Sequence, residues 1–265
     1  MARPFLKWAG GKSQLLKEIC KHLPKKYNKY YEPFVGGGAV FFFMRPGNAI
    51  LSDSNGCLIR TYSVVRDQVE DLIQILEKYP NDEDFYYDMR KLNSAELPDL
   101  QRAARFIFLN KTCFNGLYRV NSKNEFNVPF GKYKNPLILD KGNLRSCSKL
   151  LQGVTLEATY FYKSSILNAN QGDFIYMDPP YVPVSETSFV GYSKKGFNLE
   201  QHEKLAKLFE ESAAKGVFVL LSNSDVPWVR ERYSNFNIIE VNARRSINSK
   251  GSGRGKVGEL LIRSY

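Results

Sequence analysis

The chain has 265 residues, 43% of them hydrophobic, which is enough for one sizeable core with a smaller lobe, and its formal charge of +11 predicts attraction to a polyanion. Its longest apolar runs, such as Val217 to Leu221, fall far short of the ~20 residues of a membrane-spanning helix, and Met1-Ala2-Arg3-Pro4 opens no signal-type apolar stretch, so no membrane partner and a cytoplasmic location are expected. Four cysteines without a CxxC pair (Cys20, Cys57, Cys113, Cys147) and two histidines outside any metal-ligand spacing (His22, His202) exclude a zinc site, a disulfide framework and a nucleophilic triad, so no metal is expected.

In chain order, Lys12 to Leu23 has apolar residues at helical spacing and is preceded by Gly10-Gly11-Lys12-Ser13. That tetrad is not a P-loop, whose pattern needs a glycine where Leu6 stands; a lysine at a glycine-rich helix start suits a small carboxylate instead. Tyr30 to Val35 reads as a strand. At its end Glu32-Pro33-Phe34-Val35-Gly36-Gly37-Gly38 forms the kind of glycine turn that brings backbone N–H groups close to a nucleotide cofactor. The next strand, Ala49 to Asp53, ends on a carboxylate placed to accept hydrogen bonds from a ribose, with a helix cap over Asp53-Ser54-Asn55 as the equal alternative.

From Leu58 to Gly153 the alternation of strand and helix stops. Leu58 to Tyr79 is a helical pattern, another runs through Arg105 to Asn110, and Asn115 to Asn135 is polar and rich in glycine and asparagine, so this stretch reads as an insertion. Charge is uneven as well: Met1 to Tyr31 carries eight Lys/Arg against one acidic residue, whereas Glu70 to Asp99 is mostly acidic. Five further strands follow, Thr155 to Tyr162, Asp173 to Asp178, Val217 to Asn223, Phe236 to Ala243 and Glu259 to Tyr265. Among them lies a helix from Leu199 to Lys215, stopped by Gly216. Strand and helix thus alternate at both ends, predicting an α/β sheet. His202 falls in that last helix, where a surface or half-buried place outweighs a catalytic one.

The most informative segment is Asp178-Pro179-Pro180-Tyr181, directly after the strand residues Phe174-Ile175-Tyr176-Met177. The exocyclic amine of a nucleobase is a poor nucleophile because its lone pair is delocalised into the ring. Two fixed acceptors, the Asp178 carboxylate and the Pro179 carbonyl, can each take one N–H and turn the nitrogen toward sp3 geometry, and consecutive prolines restrict the backbone that presents them. Tyr181 offers a face on which a base drawn from a duplex stacks, an interaction of ~1–3 kcal/mol. No general base of matched pKa is needed, which agrees with the scarcity of histidine. The plain alternative is a rigid turn that ends a strand. Arg244-Arg245, with Lys250, Arg254 and Lys256 among glycines and serines, reads as a phosphate clamp in preference to a solvated loop.

The chain as a whole resembles the Dam-type DNA adenine methyltransferases. The resemblance rests on Phe5-Leu6-Lys7-Trp8-Ala9-Gly10-Gly11-Lys12, Glu32 to Gly38, Asp53, Phe114-Asn115-Gly116-Leu117-Tyr118-Arg119, Glu125 to Tyr133, Asp178 to Tyr181 and Arg244-Arg245-Ser246-Ile247. It implies a seven-stranded, Rossmann-like methyltransferase sheet with an inserted small helical and β-hairpin domain: residues 1–57 and 154–265 would bind S-adenosyl-L-methionine, and residues 58–153 would recognise double-stranded DNA, with no obligate protein partner. The same likeness makes Asp178, Pro179, Pro180 and Tyr181 the catalytic segment. Trp8, Lys12, Asp53 and Asp178 become cofactor contacts, with Gly10 and Phe34 close by. Phe114 corresponds to an aromatic wedge in the base stack and Asn115 to its neighbour; Leu117, Arg119, Pro129 and Tyr133 match positions that read the target, and Lys7 one that reaches its outer guanine. The implied target is 5′-GATC-3′. Two departures stand out: Phe114 replaces the tyrosine of some relatives, and Lys163-Ser164-Ser165 lacks the acidic residue with which many methyltransferases contact the cofactor adenine.

Three other readings compete. An N4-cytosine methyltransferase would use nearly the same amine geometry, but the match from Phe114 to Tyr133 opposes it. A non-catalytic DNA-binding protein would need neither Asp178 nor Asp53. A nicotinamide oxidoreductase would leave the Asp-Pro-Pro-Tyr segment unexplained.

Overall fold

The computed structural model describes residues 2–123, 125–183, 197–244 and 256–265. Its seven strands are β1 (Tyr30–Glu32), β2 (Ala49–Asp53), β3 (Thr155–Ala158), β4 (Phe174–Met177), β5 (Phe218–Ser224), β6 (Asn237–Arg244) and β7 (Lys256–Arg263). They form one sheet in the order β3-β2-β1-β4-β5-β7-β6. β1 pairs in parallel with β2 and β4, β4 in parallel with β5, and β7 runs antiparallel between β5 and β6. This is the mixed, Rossmann-like sheet expected from the sequence.

By internal contacts the chain forms two compact units, Met1–Lys12 with Gly36–Arg45 and Asn55–Ala158, and Ser13–Val35 with Pro46–Ser54 and Thr159–Tyr265. The first contains α2 (Ala39–Met44), α3 (Gly56–Asp67), α4 (Val69–Leu76), α5 (Glu83–Lys91), α6 (Asp99–Thr112) and α7 (Lys141–Leu151). α6 is buried without interruption from Ala103 to Asn110, as a helix surrounded by others must be. The second unit contains α1 (Leu16–Lys21), α8 (Leu199–Ala214) and α9 (Pro227–Arg232). Its core packs Ile175 and Met177 of β4 and Val219 and Leu221 of β5 with Leu205 and Phe209 of α8 and Val229 of α9. β4 is buried at all four positions, which explains its unbroken apolar run.

Several elements are shorter than their patterns. β1 stops at Glu32 because Pro33 has no N–H to continue a ladder, although Val35 still donates to the Ser52 carbonyl at 3.0 Å. The helical pattern from Leu58 to Tyr79 is two helices, broken at Gln68 (φ −135°). The buried positions Val65 and Leu72 lie two helical turns apart, so the apolar period runs through the break and conceals it. The pattern from Lys12 is a 3-10 turn, Lys12–Gln14, followed by α1. α8 matches its expected span, with a reciprocal Asn198–Gln201 capping box at its start and Gly216 at φ +78° after its end.

His202 is not at or near the surface. It is 1% exposed on α8, with its ring edge-on to Phe197 at 4.7 Å and to Trp228 at 5.8 Å between centroids. Burial lowers its pKa to about 4. The unfolded chain therefore takes up this proton first, so the stabilising effect is complete above the ordinary histidine pKa of ~6.5 and is lost as pH falls toward 4. We expect the protein to lose up to about 3 kcal/mol from this group between pH 7.5 and 4. Urea unfolding of wild type and His202→Leu across that range checks it: the leucine variant should show the smaller fall, and parallel curves would mean that His202 titrates normally.

Candidate active site and recognition surface

In the second unit the strand order reverses between β1 and β4, and ligands of open α/β sheets bind beyond the carboxyl ends of the strands at such a point. Three expected site residues sit at that end. Phe34 follows β1, half-buried, with its ring 5.4 Å from Phe161 and 5.6 Å from Phe197. Asp53 is the last residue of β2, half-buried, and its carbonyl accepts from the Thr159 N–H at 3.0 Å. Asp53 is not a helix cap: that place belongs to Asn55, whose side chain accepts from Leu58 N at the start of α3. Asp178 follows β4, half-buried, succeeded by buried Pro179, exposed Pro180 and half-buried Tyr181.

This segment is tethered from its far side by residues that the sequence reading did not single out. The Val182 N–H donates to Asn223 Oδ1 at 3.1 Å, and Ser224 Oγ donates to the Val182 carbonyl at 2.5 Å. Tyr181 OH donates to Glu259 Oε2 at 2.9 Å. Below them Tyr176 OH and Ser222 Oγ lie 2.9 Å apart, and Tyr30 OH donates to Glu32 at 2.7 Å. Burial, reinforced by the negative charges of Asp178 and Glu259, holds the Tyr181 phenol well above its ordinary range. The available signal was the polar run Ser222-Asn223-Ser224 closing an otherwise apolar strand.

The first unit holds the remaining residues. Lys12 is buried and donates from Nζ to the Gly10 carbonyl at 2.8 Å. Gly36 adopts φ +48°, and a Cβ there would lie 2.7 Å from Trp8 Cδ1, so the turn requires glycine for both reasons. The Trp8 ring also stacks on Tyr118 at 5.8 Å.

Lys7, the Phe114 turn and Tyr133 are brought together around one buried amide, Asn110, 2% exposed at the end of α6. Asn110 Oδ1 accepts from the Lys7 N–H at 2.8 Å, while Nδ2 donates to the carbonyls of Lys7 and Gly116 at 2.7 and 3.1 Å. Lys7 Nζ lies 4.2 Å from the centre of the Tyr133 ring. Phe114 donates its N–H to the Pro129 carbonyl at 2.9 Å and leaves its ring 51% exposed. Asn115 beside it is exposed at φ +55°, an orientation asparagine tolerates. Leu117 is half-buried, whereas Arg119 and Pro129 are exposed. The hairpin expected here is minimal, with two isolated bridges, Cys113 to Phe130 and Val120 to Phe126. Of the expected phosphate clamp, Arg244 and Lys256 pair at the ends of β6 and β7, and Arg245, Lys250 and Arg254 lie outside the described residues. No group of metal-ligating side chains occurs among the described residues, and no helix there is long and apolar enough to cross a membrane.

A family model for D12 class N6 adenine-specific DNA methyltransferases matches residues 8–247. The chain is 43% identical over 271 residues to the type II methyltransferase M1.LlaDCHI of Lactococcus lactis subsp. cremoris, covering 99% of this chain and 95% of that one. It is likewise 43% identical over 288 residues to the type II methyltransferase M.MjaIII of Methanocaldococcus jannaschii, covering 99% of each. With the DNA adenine methylase of Escherichia coli K12 it shares 38% identity over 264 residues, covering 98% of this chain and 94% of that one.

Replacing Asn223 by alanine would leave the buried Val182 N–H without its acceptor, at a cost of about 1–3 kcal/mol. Chemical denaturation measures this directly. A loss below about 0.5 kcal/mol, within the ordinary scatter of surface substitutions, would show that the tether is dispensable.

Proposed function

The chain belongs to the D12 class of N6 adenine-specific DNA methyltransferases, and on that premise we propose that it methylates N6 of an adenine flipped out of duplex DNA within 5′-GATC-3′, using S-adenosyl-L-methionine. The observation that carries the reading is the Asp178-Pro179-Pro180-Tyr181 segment, held at the carboxyl end of β4 beside the reversal of strand order. We place this activity in the cytoplasm.

The donor set suits the cofactor. In the second unit a half-buried carboxylate, Asp53, ends β2, and Phe34 belongs to an aromatic wall. In the first, the backbone of the Gly36 turn lies directly against Trp8, so close that a Cβ there would clash with the indole. When bound, S-adenosyl-L-methionine supplies an electrophilic methyl group on a sulfonium. Asp53 would accept from its ribose hydroxyls, Phe34 would pack on an apolar face, and Trp8, Gly10 and Lys12 would contact its remaining parts. Where other methyltransferases have an acidic adenine contact this chain has Lys163-Ser164-Ser165, and a serine or a backbone group would serve there; the Ser164 hydroxyl donates to the Phe161 carbonyl at 2.9 Å and can still accept.

The Asp178 carboxylate and the Pro179 carbonyl each accept one N–H of the target amine. These bonds strengthen as positive charge develops on that nitrogen, which is where fixed acceptors lower a barrier. Pro180 stiffens the backbone and Tyr181 stacks on the flipped base. Residues 58–153 form the recognition domain: Phe114 fills the gap left in the stack, Asn115 helps to hold the disrupted pair, Leu117, Arg119, Pro129 and Tyr133 read the target, Arg119 by two hydrogen bonds to a guanine, and Lys7 reaches the outer guanine.

Incubation with isotope-labelled cofactor and plasmid DNA, followed by sequencing of methylated adenines, tests the reaction and its site; methylation centred on another sequence would overturn the target. Asp178→Ala should reduce turnover by about a thousandfold or more with the fold intact, and turnover within about tenfold of wild type would remove Asp178 from the chemistry. For Asp53→Ala, calorimetry should show weakened S-adenosyl-L-methionine binding and unchanged duplex binding; an unaltered cofactor affinity would take the ribose contact away from Asp53.

A further inference from the structure

We infer that Asn127 is a positioning residue for base reading, one that fixes the Arg119 guanidinium so that only its outer fork is offered to a guanine. The inference rests on Arg119 being the guanine reader, as proposed above, and names the residue that makes it selective.

The segment around Arg119 folds back on itself. Val120 pairs with Phe126, the Asn127 N–H donates to the Arg119 carbonyl at 3.1 Å, and the Asn121 N–H donates to the Glu125 carbonyl at 2.9 Å. Asn121 also ties the turn: its Oδ1 accepts from the N–H groups of Lys123 and Glu125, each at 3.0 Å. Alternation then divides the side chains. Tyr118 packs inward, 5.1 Å from Phe106 and 5.9 Å from Phe126 between ring centres, so Arg119 is left exposed on the outer face opposite Asn127.

Arg119 does not extend freely from this platform. Its Nε donates to Asn127 Oδ1 at 2.7 Å, and Nη2 donates to the Asn127 carbonyl at 3.2 Å. Both acceptors belong to one residue and occupy one edge of the guanidinium, which fixes its plane. Of the five N–H groups three remain, two on Nη1 and one on Nη2, and the Nη1/Nη2 fork matches O6 and N7 of a guanine. Because both acceptors are neutral, the cationic charge stays available to the DNA. Holding the side chain beforehand also removes part of the ~2 kcal/mol of rotamer entropy an arginine would otherwise lose on binding.

The test measures kcat/KM on a 5′-GATC-3′ duplex and on duplexes altered at one base pair each, for wild type, Arg119→Ala, Asn127→Ala, Asn127→Asp and the Arg119→Ala/Asn127→Ala double variant. Asn127→Ala should lose about fivefold or more of discrimination at the one base pair that Arg119→Ala relaxes, leaving the other positions ranked as in wild type. The double variant should discriminate no worse than Arg119→Ala alone. Asn127→Asp, which retains an acceptor for Nε, should keep the discrimination even if all its rates fall together. A uniform drop of every rate by Asn127→Ala, as from a lost phosphate contact or a loosened turn, overturns the inference, as does additivity in the double variant. If Arg119→Ala relaxes no base pair, the reading of Arg119 fails and this inference fails with it; if Arg119→Ala relaxes one and Asn127→Ala does not, only this inference fails.

Discussion

Asn223 and Ser224 close the end of β5 around both polar groups of the Val182 backbone, and the geometry of the Asp178 segment depends on that closure. Pro179 and Pro180 have no N–H groups, so this stretch cannot be held by a ladder as β4 is held. What the prolines free must be fixed from elsewhere. Tethering Val182 to one strand and Tyr181, through Glu259, to another fixes the far end of the segment, while β4 fixes the near end.

The tether is made of buried polar groups, which are useful only when fully paired. Tyr181 keeps its proton because burial and two neighbouring carboxylates hold its phenol well above the ordinary range, so it remains the donor to Glu259. Tyr176 behaves in the same way beside Ser222, again with the Asp178 charge among the causes. The phenols are thus neutral scaffolding, and the negative charge of this edge is left to its carboxylates.

How much of this was legible follows from what each signal encodes. The sheet was readable because β4 and β5 are buried along nearly their whole length, and a buried parallel strand announces itself as an apolar run. The break at Gln68 was not readable, because the apolar period of α3 continues in phase into α4. His202 reads as a polar residue on an amphipathic helix, and only the arrival of Phe197 and Trp228 from other elements buries it. In the site, Asp53 and Asp178 could be placed because both end strands with recognisable patterns. Asn110, Asn127 and Asn223 could not. Each acts through an amide that meets a backbone group or a side chain of a distant or reversed segment, and composition treats such an asparagine as a turn former.

The partners of the basic side chains carry the argument one step further. Elsewhere in the molecule several arginines are matched by carboxylates, Arg145 by Glu70 at 2.7 Å, Arg230 by Asp225 at 2.6 Å and Arg66 by Asp67 at 2.8 Å, although Arg105 donates to the Met89 and Arg90 carbonyls instead. On the surface proposed to recognise DNA the pairing changes character. The Lys7 backbone is anchored by the Asn110 amide while its ammonium donates to the Lys111 carbonyl at 3.4 Å and rests over the Tyr133 ring, and the Arg119 guanidinium is anchored by the side-chain and backbone oxygens of Asn127. A carboxylate would hold either cation as firmly, but it would cancel the charge that a polyanion is to meet and repel the phosphates beside it. Neutral amides and an aromatic face give direction without neutralisation. The formal charge of +11 already counts those carboxylates, so an arginine matched by one adds nothing to it, whereas Lys7 and Arg119, held by neutral partners, contribute in full.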